Sequence, residues 1–443
     1  MNLILVRKIS RAQRLASPSV ILLLFWLFAF AHYGYRYILG YGGPFAVAGY
    51  TPTPIAFQIL KDIALATLLL LALALVLKRR GGTGISRWYF PVATLAAAAL
   101  ATGLVASLWN AARGEPLGTT LLYGFRYPWL YTVMLVLAPV FVPPESVKRF
   151  LFRFANLALW MSLPYWLVQV ALYYAVGRLP WNAYPGSPRF GGIMDDPNGY
   201  GIFCVFLFAI LLSGRVRFKT FKLAALTVMI LMTFSLSAYG ALGLFGGLVL
   251  LRHLLVKVVR VKRVRARVAF PLLTGALALL AGALVYLASP AAAAHAAHAA
   301  RWWEGKLPSV LLHLEDFFAS SAQVVGAAPD DFLFGDASSF SENYYLYLWQ
   351  NSGLAGILLL LALVAPLLWL ALTATTPLYR NVGLFALTIL IAANVIPYLQ
   401  VYPINLYFWS SLGLTAHALL GRTALSAPSA ELAPRIRRDL LNR

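Results

Sequence analysis

What most constrains this chain is the way its charge is sorted between long apolar runs. The runs divide the 443 residues so that 28 of the 36 Lys and Arg fall in one set of connections, while 11 of the 14 Asp and Glu fall in the other. About 20 apolar residues suffice to cross a bilayer as a helix. Short connections rich in Lys and Arg stay in the cytoplasm. The connections carrying Lys78, Arg79, Arg80 and Arg87, or Arg215, Arg217, Lys219 and Lys222, are therefore expected to face inward. The acidic, aromatic connections are expected to face out, and function is to be sought there.

A chain that is 61% hydrophobic and 11% charged has too little polar surface to coat a water-soluble domain, so an all-α, polytopic membrane protein is expected. The formal charge of +22 would suggest nucleic acid in a soluble protein. Here the excess is confined to one side and reads as a topology signal, helped by anionic lipid headgroups, with no nucleic-acid partner. The single cysteine, Cys204, excludes disulfides and thiolate metal sites within one chain and is expected to serve packing. The first apolar run, residues 19–38, is long, aromatic-rich and without a small-residue cleavage site, so it reads as a retained helix.

Twelve transmembrane helices are predicted, near 18–39, 55–77, 89–109, 127–144, 151–176, 199–214, 222–236, 238–256, 269–288, 353–373, 381–400 and 404–421, with both termini cytoplasmic. Both flanks of 222–252 are basic, so that stretch must hold an even number of passes, with its turn near Ser235, Leu236 and Ser237. The chain then divides into residues 1–288, with nine helices and outer loops at 110–127 and 177–200; a large extracytoplasmic loop at 289–352; three helices in 353–421; and a cytoplasmic tail at 422–443. A short outer turn is expected near Tyr402 and Pro403. The large loop exceeds the length of a passive connection and is expected to fold into helices lying over the membrane like a lid, with Leu311, Leu314, Phe317 and Phe318 at helical spacing.

The outer loop at 177–200 ends in Arg189, Phe190, Gly191, Gly192, Ile193, Met194, Asp195, Asp196, Pro197 and Asn198. Its glycines and prolines impose tight turns before a helix that Asp195 or Asp196 can cap. Arg189 there is either an anion-binding donor set or a snorkelling side chain. The large loop ends in Gly335, Asp336, then Ser341, Glu342, Asn343, Tyr344 and Tyr345. Partial desolvation at the membrane boundary would suit Glu342 to general-base work, and Asn343 can orient a sugar hydroxyl or a phosphate. The bland alternatives are a helix N-terminal acid for Glu342 and an interfacial belt for the aromatics. Further outer arginines are Arg36, Arg113, Arg126 and Arg301, and Lys61 adjoins Asp62 inside the second apolar run, as a polar cavity or a structural ion pair. The six histidines show no metal spacing, and no Walker loop or dinucleotide fingerprint is present, which argues against ATP-driven pumping.

The order Arg189-Phe190-Gly191-Gly192, then Asp196-Pro197-Asn198, a hydroxyl-rich turn at Ser235 and Ser237, and finally Gly335 with Glu342-Asn343-Tyr344-Tyr345 resembles the O-antigen ligase and polymerase family of bacterial inner-membrane enzymes. The resemblance implies glycan transfer from undecaprenyl pyrophosphate to an acceptor hydroxyl outside the membrane, without ATP, metal or other cofactor. Glu342 and Asn343 are then the catalytic candidates, and Arg189, Arg126, Arg301, Asn198, Asp196 and Tyr345 the candidates for binding pyrophosphate and glycan. Ligases of this family usually carry a His-Asn pair at the loop's end; Glu342 in place of that His points to a polymerase, for which a chain-length regulator protein is an expected partner. Ala238 stands where many relatives have arginine, so Arg126 or Arg301 is expected to substitute. Asp195, Asp196 and Asp336 remain alternative bases. Competing readings are a ligase or protein O-oligosaccharyltransferase, and, in another class, a lipid-linked oligosaccharide flippase, which would need polar residues through the bilayer centre.

Overall fold

The computed structural model describes residues 18–32, 55–78, 89–176, 189–194, 196–259, 315, 318–322, 327–335, 341, 343–393, 399–400 and 402–426. These are 87% helical and contain no strand, as the apolar runs demand. The elements are α1 (Pro18–Ala31), α2 (Ile55–Lys78), α3 (Phe90–Ala112), α4 (Met134–Phe141), α5 (Val147–Val176) and α6 (Pro197–Leu212). They continue with α7 (Lys219–Leu231), α8 (Leu236–Val259), α9 (Pro329–Phe334), α10 (Tyr344–Thr373), α11 (Pro377–Ala392) and α12 (Ile404–Ser426). Among the described residues five helices are long and apolar enough to cross a membrane, or six if the bent pair Leu117–Arg126 and Leu130–Phe141 is one span. Pro18–Ala31, Pro197–Leu212 and Pro377–Ala392 are shorter apolar helices. The expected helix at 269–288, most of the large loop and the tail lie outside the described residues.

Two helices, α7 and α8, occupy the stretch between the basic flanks, with the turn at 232–235. Other expectations need correction. The single helix expected at 127–144 is instead a π-helical turn, Leu121–Arg126, a 3-10 turn, Leu130–Val133, and α4, with a 45° bend between the two arms. Pro128 explains much of this, because it lacks an N–H and so interrupts the helical hydrogen-bond ladder. The stretch read as an outer loop at 110–127 is largely helical. The helix expected at 353–373 begins instead at Tyr344, with Asn343 as its capping residue, and is broken at Gly353 (φ 61°, ψ −165°). Only glycine adopts that backbone conformation freely, so the break is written into the sequence at that position.

α6 is the centre of the bundle: Ile202 to Leu207 are all buried, and it packs on α5, α7, α8 and α11. Lipid tails are as apolar as the side chains, so helix association rests on close packing rather than on expulsion of water. An aromatic cluster supplies it. The Trp26 ring meets Phe154 and Phe150 edge-on at 4.8 and 5.1 Å, Phe30 stacks on Phe203 at 4.6 Å, and the Tyr407 hydroxyl donates to the Trp26 carbonyl at 2.7 Å. Small residues close other seams, Gly383 against Ala371 and Gly413 against Leu135. The outer face is apolar, with Leu70 66% and Trp369 72% exposed, as a lipid-facing surface requires.

The contacts sort the connections to two ends. His32 after α1, Lys61 early in α2, Arg126, the start of α10, the end of α11 and Tyr402 before α12 meet at one end. At the opposite end Gly421 packs on Pro144, Lys222 donates to Asn156, and Arg252 lies near Arg380. Among the described residues, the basic residues Lys148, Arg149, Lys222, Arg252 and Arg380 are gathered at this second end, and Arg126, Arg189, Asn198, Asn343 and Tyr345 at the first.

Candidate functional site

The site grows from the segment between α5 and α6. Gly192 adopts φ 54°, and a Cβ there would fall inside the ring of the fully buried Tyr200, so the turn admits only glycine. Gln169 on α5 clamps it from below: its Oε1 accepts from the Gly192 N–H at 2.9 Å and its Nε2 donates to the Gly192 carbonyl at 3.1 Å. The Tyr200 hydroxyl shares a hydrogen bond with Ser162. Asp196 then caps α6, accepting from the N–H groups of Asn198 at 3.1 Å and Gly199 at 2.9 Å, with Pro197 in the first turn where a missing N–H costs nothing.

This geometry delivers Arg189 and Asn198 to the turn between α7 and α8. The Phe190 N–H donates to the Met232 carbonyl at 3.1 Å, and Arg189 Nε donates to the Thr233 carbonyl at 3.2 Å. Arg189 Nη2 donates to Asn198 Oδ1 at 2.7 Å, and Ser235 Oγ donates to the same oxygen at 2.6 Å. Ser237 Oγ lies 2.7 Å from Ser235 Oγ, and the Ala238 N–H donates to Ser235 Oγ at 3.2 Å. Three separate sequence segments thus meet around Arg189, a residue only 4% exposed. These hydrogen bonds of Arg189 run to neutral oxygens and fix the orientation of its guanidinium. An arginine would have no room at 238: Ala238 is fully buried and its methyl group fills the place of a Gly201 side chain.

The remaining candidates lie in two further groups at the same end. Asn343 caps α10, its Oδ1 accepting from the N–H groups of Tyr345 at 3.0 Å and Leu346 at 3.1 Å. The Tyr344 N–H donates to the Ala393 carbonyl at 2.8 Å and the Tyr345 hydroxyl to the Leu390 carbonyl at 2.7 Å, which dock the start of α10 on the end of α11. Tyr345, a candidate for binding substrate, uses its hydroxyl proton in this docking. Beyond it, the Tyr347 hydroxyl donates to the Tyr123 carbonyl in the π-helical turn at 2.6 Å, and Trp129 Nε1 donates to Ser352 Oγ at 3.0 Å. The two broken elements therefore brace each other. Arg113 pairs with Asp331 and with Asp330 at 3.6 Å, tying α9 to the end of α3.

Arg126, expected beside Arg189, pairs with Asp62 of α2 at 2.6 Å. The suggested Lys61–Asp62 pair is corrected accordingly: adjacent residues on a helix do not face each other, and Lys61 lies over the Tyr402 ring at 5.0 Å. Arg36, Asp195, Arg301, Asp336 and Glu342 lie outside the described residues. Gln169 and Thr233 were missed by sequence reasoning; a glutamine in an apolar helix was the available signal for the first, and the second acts through its backbone carbonyl, which no side-chain pattern marks. Among the described residues no group of three His, Cys, Asp or Glu is placed to hold a metal ion. What the Arg189 group can do chemically is present a fixed positive charge, with hydroxyls around it, to an anion. No protein-family profile matches the sequence, and comparison with curated proteins gives no match.

Proposed function

We propose that the chain polymerises undecaprenyl-pyrophosphate-linked oligosaccharide repeat units by metal-independent, inverting glycosyl transfer. In this reading it spans the bacterial inner membrane with both termini cytoplasmic and the Arg189 end periplasmic, and a chain-length regulator is a natural partner. The observation that carries the reading is the junction of Arg189, Asn198 and Ser235, because three of the four segments that resemble the polysaccharide-assembly family converge on the buried Arg189. The gathering of those basic residues at the opposite end supports the orientation.

Pyrophosphate is a good leaving group, so the protein has two tasks: to neutralise the charge that develops on it and to take a proton from the attacking hydroxyl. Arg189 performs the first, with Arg301 as the second arginine, and Glu342 performs the second, with Asn343 beside it. The acceptor oxygen forms its bond to the anomeric carbon as the bond to pyrophosphate breaks. The electron pair leaves on undecaprenyl pyrophosphate, and the acceptor's proton passes to Glu342. Attack opposite the leaving group inverts the anomeric centre. The apolar lipid-facing surface admits the polyprenyl tail from the side.

A second reading, a lipid-linked oligosaccharide flippase, is favoured by the two broken helices that meet through Trp129 and Ser352, since interrupted helices are common at transport sites. One experiment separates the readings. Purified protein in proteoliposomes is supplied with lipid-linked repeat units and the products are resolved by size. A ladder is expected. Single transfer to lipid A core or to peptide would mark a ligase, and movement of unextended units between leaflets would replace the polymerase with a flippase.

A further inference from the structure

The end of the bundle that holds Arg189 carries a second cationic group whose chemistry the glycan reading does not use. Lys61 sits in the second turn of α2, between Ile59, Leu60 and Ile63, which are 48%, 43% and 55% exposed on the apolar face. A cation at such a depth needs a compensating partner. The adjacent carboxylate provides it only in part, because Asp62 bonds to Arg126 at 2.6 Å. The Lys61 ammonium lies 5.0 Å from the centroid of the Tyr402 ring and makes no hydrogen bond to a described residue. Arg126 uses Nη2 on Asp62, and its other N–H groups have no hydrogen-bond partner among the described residues. Among the described residues, two cations and one carboxylate leave one positive charge in surplus.

The walls of this group are built rather than incidental. His32 and Tyr131, both buried, pack on Tyr402 at 5.7 and 5.6 Å between ring centroids. Gln400 and Asn405, close to Tyr402 in sequence, are 6% and 1% exposed. Both polar atoms of the Gln400 amide, and Nδ2 of Asn405, are without a hydrogen-bond partner among the described residues. Unused hydrogen-bonding capacity in a buried position calls for a partner.

We propose that Lys61, Arg126 and Tyr402 form a second anion site, separate from the Arg189 cluster, that takes the phosphate of a lipid headgroup. A phosphodiester carries the one negative charge that matches the surplus, and its acyl chains run along the apolar face at Ile59, Leu60 and Ile63. Free phosphate offers the same oxygens without that contact and binds more weakly. The site stands whether or not the chain transfers glycans.

The test uses full-length protein in a zwitterionic detergent, titrated separately with phosphatidylglycerol, phosphatidylcholine and inorganic phosphate and read by native mass spectrometry. The unaltered protein is expected to take up one phosphatidylglycerol about fivefold more tightly than phosphatidylcholine, the effect of about one charge at a headgroup. Lys61→Met should abolish that preference, Lys61→Arg should keep it, and Lys148→Met, at the opposite end, should leave it unchanged. Equal binding of the two lipids to the unaltered protein would overturn the proposal, and that comparison needs no variant. So would an unchanged preference in a folded Lys61→Met protein, or saturation by inorganic phosphate at the affinity of the lipid.

Discussion

Asn198 gives the sharpest test of what Arg189 is for, because one of its atoms serves two donors. Its Oδ1 accepts from Arg189 Nη2 at 2.7 Å and from Ser235 Oγ at 2.6 Å. Asn198→Ala removes both bonds and takes the Nη2 acceptor from an arginine that is 4% exposed. A hydrogen bond to a charged group is worth about 1.5–3 kcal/mol and a neutral one about 1, so a loss of about 3 kcal/mol is expected. That variant loses stability and ligand together and cannot separate them. Asn198→Asp can. It keeps the acceptor in place, so folding stability should hold or rise, but it sets a full negative charge against Arg189. Two unit charges about 4 Å apart interact by about 4 kcal/mol at an effective dielectric near 20, and the new carboxylate's own desolvation reduces the net effect to about half. A pyrophosphate competing for the same guanidinium then binds about 30-fold more weakly. The assay pairs thermal unfolding in detergent with calorimetric titration of a short-chain polyprenyl pyrophosphate. If Asn198→Asp melts like the parent and still binds at parental affinity, the charge of Arg189 does not hold the phosphate and the reasoning fails.

Three further outcomes are expected. Glu342→Gln should abolish chain extension while leaving donor binding intact, and near-normal extension in the product ladder would remove Glu342 as the base. Asn343→Ala should cost about 1 kcal/mol by uncapping α10, and Asn343→Ser, another cap former, should recover most of it in thermal unfolding. Gly192→Ala should cost on the order of 3 kcal/mol, since it forces a positive φ and displaces the buried Tyr200 ring; a melting temperature equal to the parent's would contradict the turn geometry.

The readable parts of the fold were those where charge and hydropathy act together. α5 and the α7–α8 hairpin were bounded by basic residues, and two passes followed from parity. The start of α10 was missed because Gln350, Asn351 and Ser352 separate its aromatic first turns from the long apolar run, so a hydropathy reading begins only at the break at Gly353. The bent region before α4 was missed for the opposite reason: it is apolar throughout, and apolarity does not distinguish a straight span from π and 3-10 turns interrupted by Pro128. At the site, Arg189, Asp196 and Asn198 were legible because they fall within ten residues and flank a capped helix start. The partner of Arg126 was not, since Asp62 is 64 residues away and no local pattern links them. Sequence proximity instead suggested Lys61, which helix geometry turns to a different face.

The central claim is that the pyrophosphate end of a lipid-linked glycan rests on the Arg189 cluster. It is tested most directly by photo-crosslinking with a polyprenyl pyrophosphate that carries a diazirine next to the phosphates, followed by peptide mapping. The account predicts labelling within residues 189–201 and 232–239, suppressed by excess unlabelled donor. Labelling confined to α2 and the residues around Tyr402, or labelling that excess donor does not suppress, would contradict it.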